Sequence, residues 1–309
     1  MSLAAFVLRR VLWAVPMLLL VMLATFALMR GTGGDPFTPP EGFTGVPPPI
    51  ERQLREHYNF DEPWFVEFAT YVKHAATFDF GPSLSNRYLT VDGVIESSLP
   101  VTALLVALAA LAAIPVGLAL GLVGAVRRRT RADTATTVTS TALLVVPVFF
   151  VAWVVSRYPG LEWHWFRLGW DSWSSRVPPV LTLAPAGYIA RLVRASAVET
   201  LSEDYVRTAR AKGLRQTRIV LVHVLGNSLV PVLSAAVPMF ALLITGSFFV
   251  ELYFGIPGAS GAFRDASRAR DYPMLMGLTV VLAVVVMALN LLADIVIALL
   301  DPRIRERRS

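Results

Sequence analysis

Along the chain, uncharged stretches long enough to cross a bilayer alternate with short charged ones. Spanning about 30 Å of hydrocarbon as a helix takes roughly 20 residues at about 1.5 Å each. Five runs of that order contain no Asp, Glu, Lys or Arg: Val11 to Met29, Leu99 to Val126, Thr134 to Ser156, Ile219 to Val250 and Met274 to Ala293. A sixth, Val177 to Ala190, is short. It reaches spanning length only if its helix continues through Arg191 and Arg194, whose long stems can carry their charge to the interface. The pattern predicts an all-α integral membrane protein with six transmembrane helices. Arg9 and Arg10 precede the first run as they would in a secretory signal, but its 19 residues exceed a typical signal core and no A-x-A follows. The expectation is an uncleaved helix.

The polar stretches between the runs set the organisation. Residues 31–98 form one long external segment, punctuated by Gly31, Gly33, Gly34, Pro36 and Pro47 to Pro49. Ile50 to Tyr58 and Pro63 to Ala76 read as short helices within it. In the second, Trp64, Phe68, Tyr71 and Ala75 recur at helical spacing, a stripe suited either to the headgroup layer or to packing on the rest of the segment. A further external loop, Arg157 to Arg176, holds Trp163, Trp165, Trp170 and Trp173, which read as an interfacial belt, with stacking on a ligand as the alternative. The division is then residues 1–30 as N-terminal tail and first helix, 31–98 as external segment, 99–300 as membrane core containing a cytoplasmic loop at 201–222, and 301–309 as cytoplasmic tail.

Charge fixes the sidedness. With the N-terminus inside, 17 of the 28 Lys and Arg residues fall on the cytoplasmic side, in clusters at 9–10, 127–131, 191–218 and 303–308. The opposite side receives 11, five of them in the long stretch after the first span, which crosses largely regardless of charge. Both termini are therefore expected in the cytoplasm. Composition agrees with this picture: 55% of the 309 residues are apolar and 16% charged, against about 25% charged in ordinary soluble domains. That balance disfavours a water-soluble enzyme of one or two domains. The absence of cysteine removes disulfides, thiolate metal sites and a cysteine nucleophile. The net charge of +6 follows from topology and calls for no nucleic acid.

The most informative polar stretch runs from Leu201 to Leu214. Ser202 is placed to cap a helix, Glu203 and Asp204 complement its positive end, and Arg210 with Lys212 complement its negative end. Gly213 fits the residue after the C-cap. The spacing predicts a helix of about ten residues with Glu203, Arg207 and Arg210 on one face and Leu201, Tyr205 and Ala209 on another. Such a helix is equally suited to docking on a partner protein or to lying on anionic lipid.

Tyr205-Val-Arg-Thr-Ala-Arg-Ala-Lys-Gly213-Leu214, followed by His223, Asn227, Ser228 and Pro231, closely resembles the cytoplasmic "EAA" loop of ABC-importer permeases, in the form found in the oligopeptide/dipeptide/nickel permease family. Further matches occur in family order: Gly34-Asp35-Pro36, Leu54 to Pro63 with Tyr58 and Asp61, Phe80-Gly81, Arg270-Asp-Tyr-Pro273, and Asn290-Leu-Leu-Ala-Asp294 running into Leu300-Asp-Pro-Arg-Ile-Arg305. Arg207 stands where the loop's eponymous glutamate would be, and the tryptophan-rich loop and short fourth span depart from the family pattern.

The resemblance implies a type I importer architecture, a second homologous permease subunit, two cytoplasmic ABC ATPases and an extracytoplasmic substrate-binding protein. It also implies that Glu203 to Leu214 sit in a groove of an ATPase. Tyr205 and Ala209 would then supply the packed face, Arg207, Arg210 and Lys212 the polar contacts, and Gly213 the turn before Leu214. Peptides are the expected solute, with nickel chelates or another small solute as alternatives. No G-x-x-x-x-G-K-[ST] occurs, so this chain is expected to bind no cofactor, with ATP and Mg on the partner ATPases. Asn227, Pro231, Asn290, Asp294 and Asp301 are expected in structural or assembly roles; Asp294 lies near the cytoplasmic end of the last run, where a carboxylate is tolerated. Gly258-Ala-Ser-Gly261 has no later histidine to serve as base and reads as a turn, and His57, His74, His164 and His223 lack metal-ligand spacing. A secondary transporter working without ATPases is the rival reading; the near absence of charges within the spans disfavours it.

Overall fold

A computed structural model describes residues 3–31, 37, 47–86 and 88–300. Thirteen α-helices are described in order: α1 (Leu3–Gly31), α2 (Pro48–Tyr58), α3 (Trp64–Thr77), α4 (Val91–Val126), α5 (Arg131–Val145), α6 (Val148–Val155), α7 (Trp173–Leu183), α8 (Ala186–Ser202), α9 (Asp204–Ala211), α10 (Gln216–Ile219), α11 (Leu225–Phe254), α12 (Ala259–Ala269) and α13 (Tyr272–Leu300). π-helical turns extend α6 over Ser156–Glu162 and join α10 to α11 over Val220–Val224. Among the described residues, extended pairing is limited to an isolated bridge between Pro82 and Thr90.

Among the described residues, three helices are long and apolar enough to cross a bilayer, at Val7–Gly31, Val91–Val126 and Tyr272–Leu292. A fourth candidate is the pair α5 and α6 with its π turn, bent by 98°. That bend corrects the expectation of one continuous helix over Thr134 to Ser156. Pro147 has no N–H to donate and pushes the residue before it out of the helical region. Val146 accordingly closes α5 with φ −69° and ψ 122°, and Pro147 opens α6. The short run Val177 to Ala190 is interrupted for the same reason: Ala184 is extended ahead of Pro185, so α7 stops and α8 starts anew. Proline alone does not decide, since Pro115 lies within α4 without a break.

The described residues divide into two compact units, one within 3–102 together with 257–291, the other of 103–256 with 292–300. The first packs Met22, Phe26 and Met29 of α1 with Tyr58 of α2, Tyr71 of α3 and Met276 of α13. Phe26 meets the rings of Phe68 and Tyr71 at 5.5 and 5.9 Å. The aromatic stripe of α3 is thus core, with Trp64 alone of its members left exposed. Arg30 pairs with the buried Glu67, whose carboxyl is pushed upward by burial and drawn back by that guanidinium. The Tyr58 hydroxyl donates to the carbonyls of Phe80 and Pro82 at 2.8 and 3.1 Å, bracketing Gly81 at φ +74°.

Asp271 ties this unit together. Fully buried, it caps α13 by accepting from the Met274 N–H at 3.2 Å. Its other oxygen accepts from the Ser85 N–H at 3.1 Å, the Ser85 hydroxyl at 2.9 Å and the Ser83 hydroxyl.

In the second unit α8 is the central helix, burying Ile189, Ala190, Val193 and Ala197. It approaches α4 so closely that a Cβ on Gly117 would lie 2.5 Å from Ile189, and one on Gly121 would lie 2.7 Å from the Ala190 carbonyl and from Val193. Small residues of this kind let helices pack backbone to backbone where lipid supplies no hydrophobic drive. Beside Gly124 of α4, Arg194 donates to both oxygens of Asp133 in α5, at 2.8 and 3.1 Å. The Arg194 fork is thus held by a carboxylate.

Replacing Asp271 with alanine should leave four donors without their acceptor. Hydrogen bonds to a charged group contribute about 1.5 to 3 kcal/mol each, so a loss of about 3 kcal/mol or more is expected, seen as a lower unfolding midpoint of the detergent-solubilised chain. An unchanged midpoint would mean that the serine hydroxyls and α13 find other acceptors.

Candidate functional site

Helix α9 is short, polar and almost continuous with α8. Between them stands Glu203 alone, at φ −68° and ψ 149°. Ser202, expected as the cap of α9, is instead the last residue of α8, and its hydroxyl donates back to the Glu199 carbonyl at 2.6 Å. Glu203 occupies the N-cap without a side-chain capping bond, while Asp204 in the first turn and Arg210 in the last complement the helix dipole. At the other end the Gly213 N–H donates to the Arg210 carbonyl at 2.9 Å and the Leu214 N–H to the Ala209 carbonyl at 3.2 Å. These are the two bonds of a Schellman stop, with Gly213 at φ +77° in the left-handed position that glycine adopts without strain.

The joint at Glu203 changes which side of α9 faces inward. Residues 201 and 205 are not on one continuous helix, so the expected apolar face of Leu201, Tyr205 and Ala209 does not form. Val206, fully buried, and Ala209 point into a cluster with Ala125 at the end of α4, Ala197 of α8, Ile219 and Val224. Leu201 and Leu214 pack against its rim. Tyr205 stays 45% exposed. Its hydroxyl accepts from the Asn227 amide at 2.8 Å, and its ring meets that of His223 at 6.0 Å. Asn227 is in turn donating to the His223 carbonyl at 3.1 Å. Tyr205 therefore fastens the outer side of α9 to the start of α11.

What remains outward is charged. Glu203, Asp204, Arg207, Arg210, Lys212, Arg215 and Arg218 are all exposed, five cations against two anions. Arg207 touches Asp204 at 3.3 Å, a pair too open to water to contribute much stability. The arrangement is a cationic knob whose apolar wedge of Val206 and Ala209 is spent on the chain's own core.

The structure brings Glu203, Tyr205, Arg207, Ala209, Arg210, Lys212, Gly213, Leu214 and Asn227 into this one region, with Ala209 facing inward. Pro231 lies within α11, its side chain outside the described residues. Asn290 is exposed and Asp294 half-buried, both on α13. Asp301 and the Gly34-Asp35-Pro36 match fall outside the described residues. Two contributors escape a reading of the sequence. Val206 is concealed because helix phase resets at Glu203, and Asp133 because its partner lies 61 residues away. Among the described residues no group of three or more His, Asp or Glu is placed to hold a metal ion.

A family model described as "Binding-protein-dependent transport system inner membrane component" matches residues 113–306. The dipeptide transport system permease protein DppB of Bacillus subtilis is 35% identical over 297 residues, which cover 95% of this chain and 96% of that protein. The oligopeptide transport system permease protein OppB of Salmonella typhimurium is 34% identical over 305 residues, covering 97% and 99%. Among solved structures, one chain of the inward-facing MetNI methionine ABC transporter is similar with a TM-score of 0.51 at 19% identity, over 69% of this chain and 97% of that chain. That likeness is one of fold.

A Cβ on Gly213 would meet nothing within 4 Å, so Gly213→Ala should cost only the left-handed backbone, about 1 kcal/mol. Amide exchange over 204–214 should quicken about fivefold, measured by mass spectrometry. Unchanged exchange would show that the stop of α9 is held by something other than this turn.

Proposed function

The chain belongs to the family of binding-protein-dependent transport inner-membrane components, and from that premise we propose that it forms half of the translocation pathway of an ABC importer for short peptides. It is a transport subunit and not an enzyme; the ATPase is a separate chain. Peptide is the solute of choice because the relatives matched over nearly their whole length carry dipeptide and oligopeptide transport in their names. In this reading α1, α4, the α5–α6 pair, the α7–α8 pair, α10 with α11, and α13 are the six spans, and both termini are cytoplasmic. Residues 31–98 are external, 99–300 the membrane core and 301–309 a cytoplasmic tail. The partners are a second homologous permease, two cytoplasmic ATPases that hold ATP and Mg, and an extracytoplasmic binding protein that delivers solute.

The observation that carries the mechanism is the seating of α9. Its inner side is wedged by Val206 and Ala209 against the ends of α4 and α8, and its outer side presents Arg207, Arg210 and Lys212. An ATPase surface that grips the outer side and moves when ATP closes the pair would displace α9 as one body. One residue separates α9 from α8, so the displacement passes to α8 and, through its close packing, to α4 and α5. Interconverting arrangements of packed helices of this kind switch access from one side to the other. The polar contacts fall to Arg207, Arg210 and Lys212, the outer apolar contact to Tyr205, and the fixed direction of the chain after the helix to Gly213.

The test is affinity purification of the C-terminally tagged chain in mild detergent, with copurifying proteins identified and ATPase activity assayed. Wild type should bring down a second permease and P-loop ATPases. Reversing Arg207 and Arg210 to glutamate should lower the recovered ATPase by about tenfold at unchanged membrane level, since charges at an interface rim set partner choice. A chain that isolates alone, lacks ATPase activity and still moves solute in vesicles would overturn the reading in favour of a secondary transporter.

A further inference from the structure

Between α4 and α7 the second unit carries a groove of about 390 Å³. Leu108, Leu111 and Ala112 line it from α4, and Val177, Val180 and Leu181 from α7. Leu111, Val177 and Leu181 are each more than half exposed or close to it, so the groove opens sideways onto the apolar surface. Its lining is polar at one end only, where Trp173 and Arg176 stand on the first turns of α7.

Arg176 is arranged in an unusual way for a surface arginine. Its Nε donates to the Trp170 carbonyl at 2.9 Å, which fixes the plane of the guanidinium. The carbon of that group lies 5.2 Å from the centroid of the buried Trp170 and 5.3 Å from that of the exposed Trp173. Among the described residues no carboxylate pairs with it, and the two terminal nitrogens keep their donors. A planar fork held in place by indoles, with charge uncompensated and donors free, is suited to a phosphate. An apolar channel that starts at such a fork and opens to the hydrocarbon is suited to an acyl chain. Tryptophan at the same level is the side chain that favours the headgroup boundary.

We propose that this groove holds one acyl chain of an anionic phospholipid, with the lipid phosphate on Arg176 and the headgroup boundary marked by Trp173. A peptide carboxylate is the lesser fit, since one acidic group would be met but no acceptor is present for a peptide's amine and amides. The inference rests on membrane residence, which the family establishes, and is independent of the solute and of the ATPases.

The test uses the full chain in its purified assembly, incubated with equal phosphatidylglycerol and phosphatidylcholine of identical acyl chains, bound lipid being counted by native mass spectrometry. Wild type should retain phosphatidylglycerol over phosphatidylcholine by about tenfold, as expected for a charge-assisted phosphate contact aided by the headgroup's net charge. Arg176→Gln should bring the ratio close to one. Leu181→Trp, a change at an exposed position that fills the groove, should reduce retention of both lipids. Retention that neither variant alters would overturn the proposal. Displacement of the lipid by a dipeptide would also overturn it and assign the groove to solute.

Discussion

The spacing between α8 and its neighbours governs the second unit. Gly117 and Gly121 leave no side chain between α4 and α8, so Ile189 and Val193 rest almost on the α4 backbone. In lipid the hydrocarbon around a helix is as apolar as the helix itself, and association depends on contact area at short range. A single larger residue at either glycine would separate the helices and forfeit that contact along their length. The Arg194 fork on Asp133, its stem lying beside Gly124 of α4, ties α8 to α5 and adds direction: dispersion tolerates sliding, whereas a bidentate pair accepts one register. Together they fix α8, and α8 in turn fixes everything attached to its end.

That attachment explains why so small an element as α9 has a defined pose. Eight residues are too few for a stable helix on their own, since nucleation costs more than two turns return. The helix persists because Val206 and Ala209 are buried beneath it, Tyr205 is bonded from the side and the chain is turned sharply at Gly213. The exposed cations add little to that support, beyond the complement of Arg210 to the helix dipole. Apart from Tyr205, which serves both, stability and recognition therefore reside in different side chains of the same helix, and its outer cations can change without loss of fold.

The sequence made the long features plain because they depend on local composition. Uncharged length located α1, α4, α11 and α13, and Gly213 is recognisable because glycine enters the left-handed position after a helix without strain, although Asn59, Phe78 and Arg270 take that position as well. Features that depend on distant partners were hidden. Pro147 and Pro185 break their helices while Pro115 does not, and nothing in the flanking residues separates the cases. Asp271 stands in the sequence only as part of the Arg270-to-Pro273 match, and its capping and tying role shows once Ser83 and Ser85 are brought to it from 186 residues or more away. Trp170 belongs by composition to an interfacial belt, yet it is buried and orients Arg176. The inward face of α9 is hidden for another reason: helical periodicity continues through Glu203 in the sequence, whereas the backbone breaks there.

The same discontinuity limits how this segment can vary in length. A helix turns about 100° per residue, so one residue inserted or deleted in the first turn of α9 would swing Val206 out of its cluster and bring a neighbour, Tyr205 or Arg207, toward it. A single extra residue at Glu203 would leave the order within α9 intact but lengthen the only joint to α8. Most connections on a protein surface absorb insertions and deletions; this one has no register to spare. Over evolutionary time its letters are free to drift on the outer side while its spacing is not, so gaps in related chains are expected to fall everywhere but here.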